Sequence, residues 1–228
     1  MKKIAVILAG CGNRDGSETH ETLSVLLAID KRGMQYQCFA PEGEFVVFNH
    51  IEGKPSGESR NLVIEASRLC RGNIIPLCQY KSEDFDALIL PGGMGAAQNL
   101  SDYAFKGDKM SENKEVERAM LDTISANKPI GALCIAPMIL AKVLGDKNPT
   151  ITLGGECQAA KDAVALGCKH KVCNATEVAI DENHKLPTEI KMFFDESLNF
   201  IKEYVGSENI RYAAIHLDES TPHMHIYF

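Results

Sequence analysis

Along most of the chain, short apolar runs of strand length alternate with stretches in which apolar residues recur every three or four positions. That alternation predicts strands joined by helices, a parallel sheet covered on both faces. Residues 3–9 form the clearest strand, followed by a glycine-rich turn over 10–16. Leu23, Leu26 and Leu27 then read as one apolar helix face, and residues 30–33 as its glycine stop. Residues 35–39 predict a second strand, 45–51 a strand in a hairpin excursion, and 58–71 a helix. Residues 86–90 predict a short buried strand ending in Pro91-Gly92-Gly93, and 114–126 a helix. In the next unit 129–133 is a strand with Cys134 at its carboxyl end, and Ala136-Pro137 opens another helix. Proline suits that place, because a first-turn residue has no backbone partner to lose. Residues 150–153, a helix over 158–166 and residues 177–180 complete the predicted sheet.

The pattern changes near residue 187. The last 41 residues hold seven of the fifteen Phe and Tyr, three of the seven His and none of the eight Cys. They also carry seven acids against three bases. This shift coincides with the Lys185-Leu186-Pro187 break and predicts a main domain over 1–187 and an appendage over 188–228. In the appendage, apolar residues at Ile190, Phe193, Phe194, Leu198, Ile201 and Val205 predict a helix, and 210–215 a strand.

Composition narrows the function. A net charge of -7 without clustered Lys or Arg disfavours a general nucleic-acid binder. No run approaches the roughly 18 apolar residues of a membrane helix. The opening MKKIAVILAGCG, which imitates a short signal peptide, reads better as a buried strand entering a turn. Eight cysteines without a CxxC pair or a regular framework point to reduced thiols and a cytoplasmic location.

A cysteine at a strand-to-helix turn lies at the carboxyl edge of the sheet, where such folds bind ligands. Unpaired amides and the positive helix end favour its thiolate there, so Cys134 has a stated reason to be nucleophilic. The competing reading is a packed core residue. Three further segments bear on that choice: DGSETHETL after the first strand, PGGMGAAQNLS after a later one, and GALCIAPMIL around the cysteine. With the KKIAVILAGCG start, they resemble the ElbB family of glyoxalase-like proteins, within the PfpI-type group of class I glutamine-amidotransferase-like folds. The resemblance covers residues 1–186 and implies a three-layer flavodoxin-like α/β sandwich with a mostly parallel sheet, to which the tail adds a helix and strand.

The same resemblance implies a nucleophile at a strained elbow, Cys134, and a glutamate from the start of the first helix, Glu21. Glu18, three positions earlier, shares its helical face if the helix has begun there, so spacing does not separate the two. The Gly92-Gly93 turn would supply backbone N–H groups as an oxyanion site. Many peptidase-like and amidase-like relatives have a histidine directly after the cysteine, where this chain has Ile135 beside the substrate. Without that base, peptide and amide hydrolysis are disfavoured. An aldehyde asks for less, and the expected reaction is conversion of glyoxal or a similar 2-oxoaldehyde to a 2-hydroxy acid through a cysteine hemithioacetal. It requires no cofactor. The alternative on the same fold is a reactive-cysteine sensor or carbonyl-binding protein. A homo-oligomer is expected in either case, because the tail's apolar helix needs something to pack on.

The tail sequence HLDESTPHMHIYF resembles the HxDE, turn, PHxH motif of plasmid mobilisation (Mob/Pre) relaxases. Strand alternation puts His223 and His225 on one face, and His216 from a neighbouring strand would complete a three-imidazole site for a divalent metal. The relaxase nucleophile segment is not found in this sequence, so a metal-binding mobilisation fragment is expected and DNA nicking is not.

Overall fold

The structure is a computed structural model. It describes residues 1–174 and 177–181 and, of the rest, the backbone of two short strands at 213–216 and 223–226. The expected helix over 190–205 lies outside the described residues.

The chain runs β1 (Lys3–Ile7), α1 (Thr19–Lys31), β2 (Gln35–Ala40), β3 (Glu44–Asn49), β4 (Lys54–Asn61), α2 (Leu62–Ala66), β5 (Ile74–Pro76) and β6 (Ala87–Leu90). It continues through α3 (Met94–Gln98), α4 (Tyr103–Lys106), α5 (Lys114–Ser125), β7 (Ile130–Ala132), α6 (Pro137–Leu144), β8 (Thr150–Ile151), α7 (Gln158–Ala165) and β9 (Lys169–His170). The tail strands are β10 (Ala213–His216) and β11 (His223–Ile226).

Five strands form a parallel sheet in the order β5-β2-β1-β6-β7. Alternation along each strand feeds two separate cores. Ile4, Val6 and Leu8 join Ala87 and Ile89 beneath α1 and α2, whereas Ala5, Ile7 and Ala9 join Leu88 and Leu90 beneath α3, α5, α6 and α7. This is a three-layer sandwich, and the apolar run of β1 is continuous because both its faces are covered. Each fully buried aliphatic side chain stabilises the fold by about 1.5–3 kcal/mol. The larger core also holds an aromatic trio in which Phe39 meets Tyr80 and Phe85 edge-on while Tyr80 and Phe85 stack. The Tyr80 hydroxyl lies 2.7 Å from Thr123 Oγ1, so its polar end is satisfied inside the core.

Strand order reverses between β1 and β6, and the loops leaving their carboxyl ends are fastened together. Gly95 N–H donates to Gly16 O at 2.9 Å, Met94 N–H to Asn13 O at 2.8 Å and Glu18 N–H to Gly92 O at 2.9 Å. Asn99 Nδ2 adds donations to Ala9 O and Asp15 O. The β3–β4 hairpin closes over the same loop, with Phe48 N–H on Asp15 Oδ2 and the Arg14 guanidinium over the Phe48 ring. A crevice at such a reversal is where open α/β sheets bind ligands.

Three local expectations change. Residues 58–61 are strand rather than helix, because Phe45, Val46 and Glu44 pair with Arg60, Ser59 and Asn61; the helix is only Leu62–Ala66, capped by the Asn61 side chain. On α1 the buried face is Glu21, Thr22, Val25, Leu26, Ala28 and Ile29, which leaves Leu23 and Leu27 turned outward. Residues 150–153 and 177–180 do not extend the main sheet: β8 pairs with β9 in a separate parallel ladder, and 177–180 are irregular.

Candidate active site

Three elements converge at the reversal point. The elbow between β7 and α6 places Cys134 at φ +56°, the left-handed region that costs a residue with a Cβ about 1–2 kcal/mol. Pro137 opens α6 behind it, as the first-turn argument requires. Helix α1 presents Glu21, which is 7% exposed, and the turn after β6 presents Gly92.

Gly92 N–H donates to Glu21 Oε2 at 2.8 Å, and the Glu21 carboxyl and the Cys134 thiol share a hydrogen bond. The other carboxyl oxygen, Oε1, is buried without a partner. Buried polar atoms without a partner are scarce in folded proteins. The N–H groups of Gly93 and Ile135 point at the sulfur. Thus Gly92, expected as an oxyanion donor, instead has its N–H occupied by Glu21. The two amides at the sulfur are those of Gly93 and Ile135, whose side chain is itself buried in the core.

Glycine at position 92 is a steric requirement. A Cβ there would collide with the Cβ of Cys134 and lie 2.6 Å from Glu21 Oε2 and 3.0 Å from the sulfur. Gly93 adds a backbone requirement, φ +96°, and its open side faces the backbone of Gly16 and Glu18. Gly92→Ala is therefore expected to destabilise the fold by about 1–3 kcal/mol through overpacking. It should also slow alkylation of Cys134, which mass spectrometry of iodoacetamide-treated protein will read directly.

Glu18 takes a different part. Its side chain caps α1, accepting from Glu21 N–H at 2.8 Å through Oε2, while Oε1 lies 3.0 Å from His20 Nδ1. The ambiguity between the two glutamates is resolved geometrically: Glu21 reaches the sulfur and Glu18 holds the helix that carries it. Glu18→Ala should cost about 1 kcal/mol as a lost N-cap, seen in thermal melts, and should affect chemistry at Cys134 far less than a change at Glu21. His20 was not foreseen; the only sequence signal is its place between the two acids.

Burial pushes the Glu21 carboxyl up to about 7, the negative charge of Glu18 adds to the rise, and the Gly92 N–H and Cys134 thiol oppose it. Burial also drives the Cys134 thiol well above its ordinary value, and the Glu21 charge raises it further against the pull of the Gly93 and Ile135 amides. Desolvation and the adjacent carboxylate thus oppose ionisation of the sulfur, which the expectation of a thiolate held by backbone dipoles did not include, while the two N–H groups favour it. None of the eight cysteines is in a disulfide.

Comparison with known proteins places the chain in a family. The chain is 38% identical over 216 residues to human glutamine amidotransferase-like class 1 domain-containing protein 3, mitochondrial, covering 90% of this chain and 80% of the relative. The chain belongs to this glutamine amidotransferase-like class 1 family. A rat member, the ES1 protein homologue, mitochondrial, matches over the same extent at 38% identity. Among solved structures of this type, an isoprenoid biosynthesis protein with an amidotransferase-like domain from Ehrlichia chaffeensis superposes with a TM-score of 0.74 at 30% identity. That match covers 89% of this chain and 99% of the other. A DJ-1 superfamily protein from Agrobacterium tumefaciens shares the fold at a TM-score of 0.51 and 15% identity, covering 91% of this chain and 95% of its own.

Residues 177–228 match a second family model, the plasmid recombination enzyme Mob_Pre. Over 40 residues the chain is 52% identical to plasmid recombination enzyme type 1 of Staphylococcus aureus, which is 18% of this chain and 10% of that protein. Since the glutamine amidotransferase-like relatives match nine-tenths of the chain, the two sets of matches overlap within residues 177–228. In the tail, β10 and β11 are antiparallel with His216 directly opposite His223, and His225 lies two positions further along its strand. Among the described residues no helix is long and apolar enough to cross a membrane.

Proposed function

We propose that the chain is a cofactor-independent glyoxalase-like lyase, converting glyoxal or a similar small 2-oxoaldehyde to a 2-hydroxy acid. The observation that carries this reading is the hydrogen bond between the Cys134 thiol and a buried carboxyl, Glu21, raised to about 7. A group with that pKa gives and takes protons equally well at neutral pH. The sulfur and the carboxyl then hold one mobile proton between them.

The chemistry follows from that proton. As the sulfur adds to the aldehyde carbon, Glu21 takes the thiol proton and returns it to the new alkoxide oxygen, which gives a hemithioacetal. Glu21 next removes the hydrogen from the sulfur-bearing carbon and delivers it to the adjacent carbonyl carbon, while the hydroxyl proton passes between the two oxygens. The aldehyde carbon is oxidised and its neighbour reduced, so no external electron acceptor enters. Water hydrolyses the resulting thioester, restores the thiol and releases the acid; for glyoxal the product is glycolate. Ile135, standing where other members of this fold group carry a histidine, leaves no second base beside Cys134 in sequence, in keeping with an aldehyde rather than an amide substrate.

Incubating the purified chain with glyoxal and following products by proton NMR tests the reading. Glycolate should accumulate over many turnovers per chain. A stoichiometric adduct without glycolate would instead identify a carbonyl-binding protein.

The tail carries a separate proposal. The backbone register sets His216 opposite His223, with His225 two positions on, and three histidines so placed would take a divalent metal ion through imidazole nitrogen. Zinc uptake measured by equilibrium dialysis should fall by one ion per chain in His223→Ala; unchanged uptake would refute it.

A further inference from the structure

An exposed side chain at the edge of the candidate site has no part in the chemistry above. The start of α1 brackets Gly92, whose carbonyl accepts from Glu18 N–H at 2.9 Å and whose N–H donates to Glu21 Oε2 at 2.8 Å. Glu21 N–H donates in turn to Glu18 Oε2 at 2.8 Å, which closes a ring of three hydrogen bonds. The other oxygen of Glu18, Oε1, lies 3.0 Å from His20 Nδ1. The Glu18 side chain is 9% exposed and that of His20 81%, so the imidazole stands between a buried acid and water.

A carboxylate only accepts, so His20 Nδ1 carries the hydrogen of that contact. The exposed ring can take a second proton at Nε2 from water without losing the contact, and histidine makes that change between pH 5 and 8. We propose that His20 is a positioning residue for the Cys134 and Glu21 pair, its imidazolium holding Glu18 in the helix cap and offsetting the Glu18 charge felt at Glu21. The proposal rests on the reading that Glu21 takes the thiol proton, and it holds for whatever substrate the sulfur attacks.

The charges around Glu21 set the direction. Among the described residues, Glu18 and His20 act on it from α1, the Gly92 N–H from the turn after β6 and Cys134 from the elbow. The Glu18 charge disfavours ionisation of the Glu21 carboxyl, and a positive His20 favours it. Below about pH 7 much of Glu21 is protonated, and its ionised fraction limits how often the thiol can give up its proton. One positive charge at this partly exposed edge should raise that fraction by about two- to fivefold. At pH 8.5 Glu21 is ionised whatever the state of His20, so the difference vanishes.

The test follows alkylation of Cys134 by iodoacetamide in the full chain, read on its own peptide by mass spectrometry at pH 6 and pH 8.5. His20→Asn keeps an N–H for Glu18 and cannot become charged, whereas His20→Arg stays charged at both pH values. At pH 6 the asparagine variant should react about two- to fivefold more slowly than the wild type, and the arginine variant at the wild-type rate. At pH 8.5 all three should agree. Equal rates for the asparagine variant and the wild type at pH 6 would overturn the proposal. So would the same loss at both pH values, which marks a purely structural effect, or an arginine variant as slow as the asparagine one. Because the assay contains no glyoxal, its failure leaves the proposed reaction standing, and a failed glycolate assay leaves this result standing.

Discussion

Cys134→Ser should lower conversion of glyoxal to glycolate by about 1000-fold or more while leaving the melting curve nearly unchanged. Serine is slightly smaller than cysteine, adopts φ +56° at a similar cost and still offers a hydroxyl hydrogen to Glu21. What it lacks is a polarizable sulfur whose proton a carboxyl near 7 can accept. The amides of Gly93 and Ile135, which ease charge onto sulfur, have far too little effect to ionise an alkanol. Initial rates of glycolate formation, compared with circular dichroism of both proteins, decide the matter. Full retention of activity by the serine variant would show that the sulfur is not the nucleophile.

Glu21→Gln should separate stability from activity. The carboxyl is about 7 in the folded chain against 4.5 ordinarily, so between those values the folded protein binds a proton that the unfolded chain has lost. Stability therefore falls as pH rises through this window, and the full penalty is present above about pH 7. At about 1.4 kcal/mol per unit this amounts to roughly 3 kcal/mol. An amide keeps an oxygen for the Gly92 N–H and carries no charge, so the variant should lose this pH dependence. Denaturant unfolding at pH 5 and pH 8 should show the two proteins converging at the lower pH and the variant more stable at the higher. Turnover should fall by about 100- to 10,000-fold, because the proton carrier is gone. For the wild type, turnover should rise with pH through about 7 as Glu21 ionises. A variant that is less stable than the wild type at pH 8 would contradict the burial argument.

How much of this was legible in the chain depends on how local each cause is. β1, β6 and β7 were readable because buried strands are short apolar runs ended by Gly or Pro, and Pro137 marked the start of α6 by its own ring. The placement of Cys134 followed from those two neighbours. By contrast, residues 58–61 have no strand pattern of their own, and only pairing with β3 makes them extended. The three leucines of α1 misled because two of them face out, and the buried stripe includes an acid and a threonine that hydropathy counts as polar. β5, β9 and the pairing of β8 with β9 went unforeseen, since β5 and β9 are too short to show a period and lack the apolar run and Gly or Pro stop that marked the others, and pairing partners are not written locally.

The sequence by itself determined an α/β sandwich, its cysteine elbow and its glycine turn, because each is written in residues adjacent along the chain. Only the tertiary structure decided that Glu21 rather than Glu18 meets the sulfur, that the Gly92 N–H is taken, and that burial and a carboxylate oppose ionisation of the thiol. Those outcomes depend on which face of α1 meets the β6 turn and on how completely water is removed there, and both are sums over residues far apart in sequence.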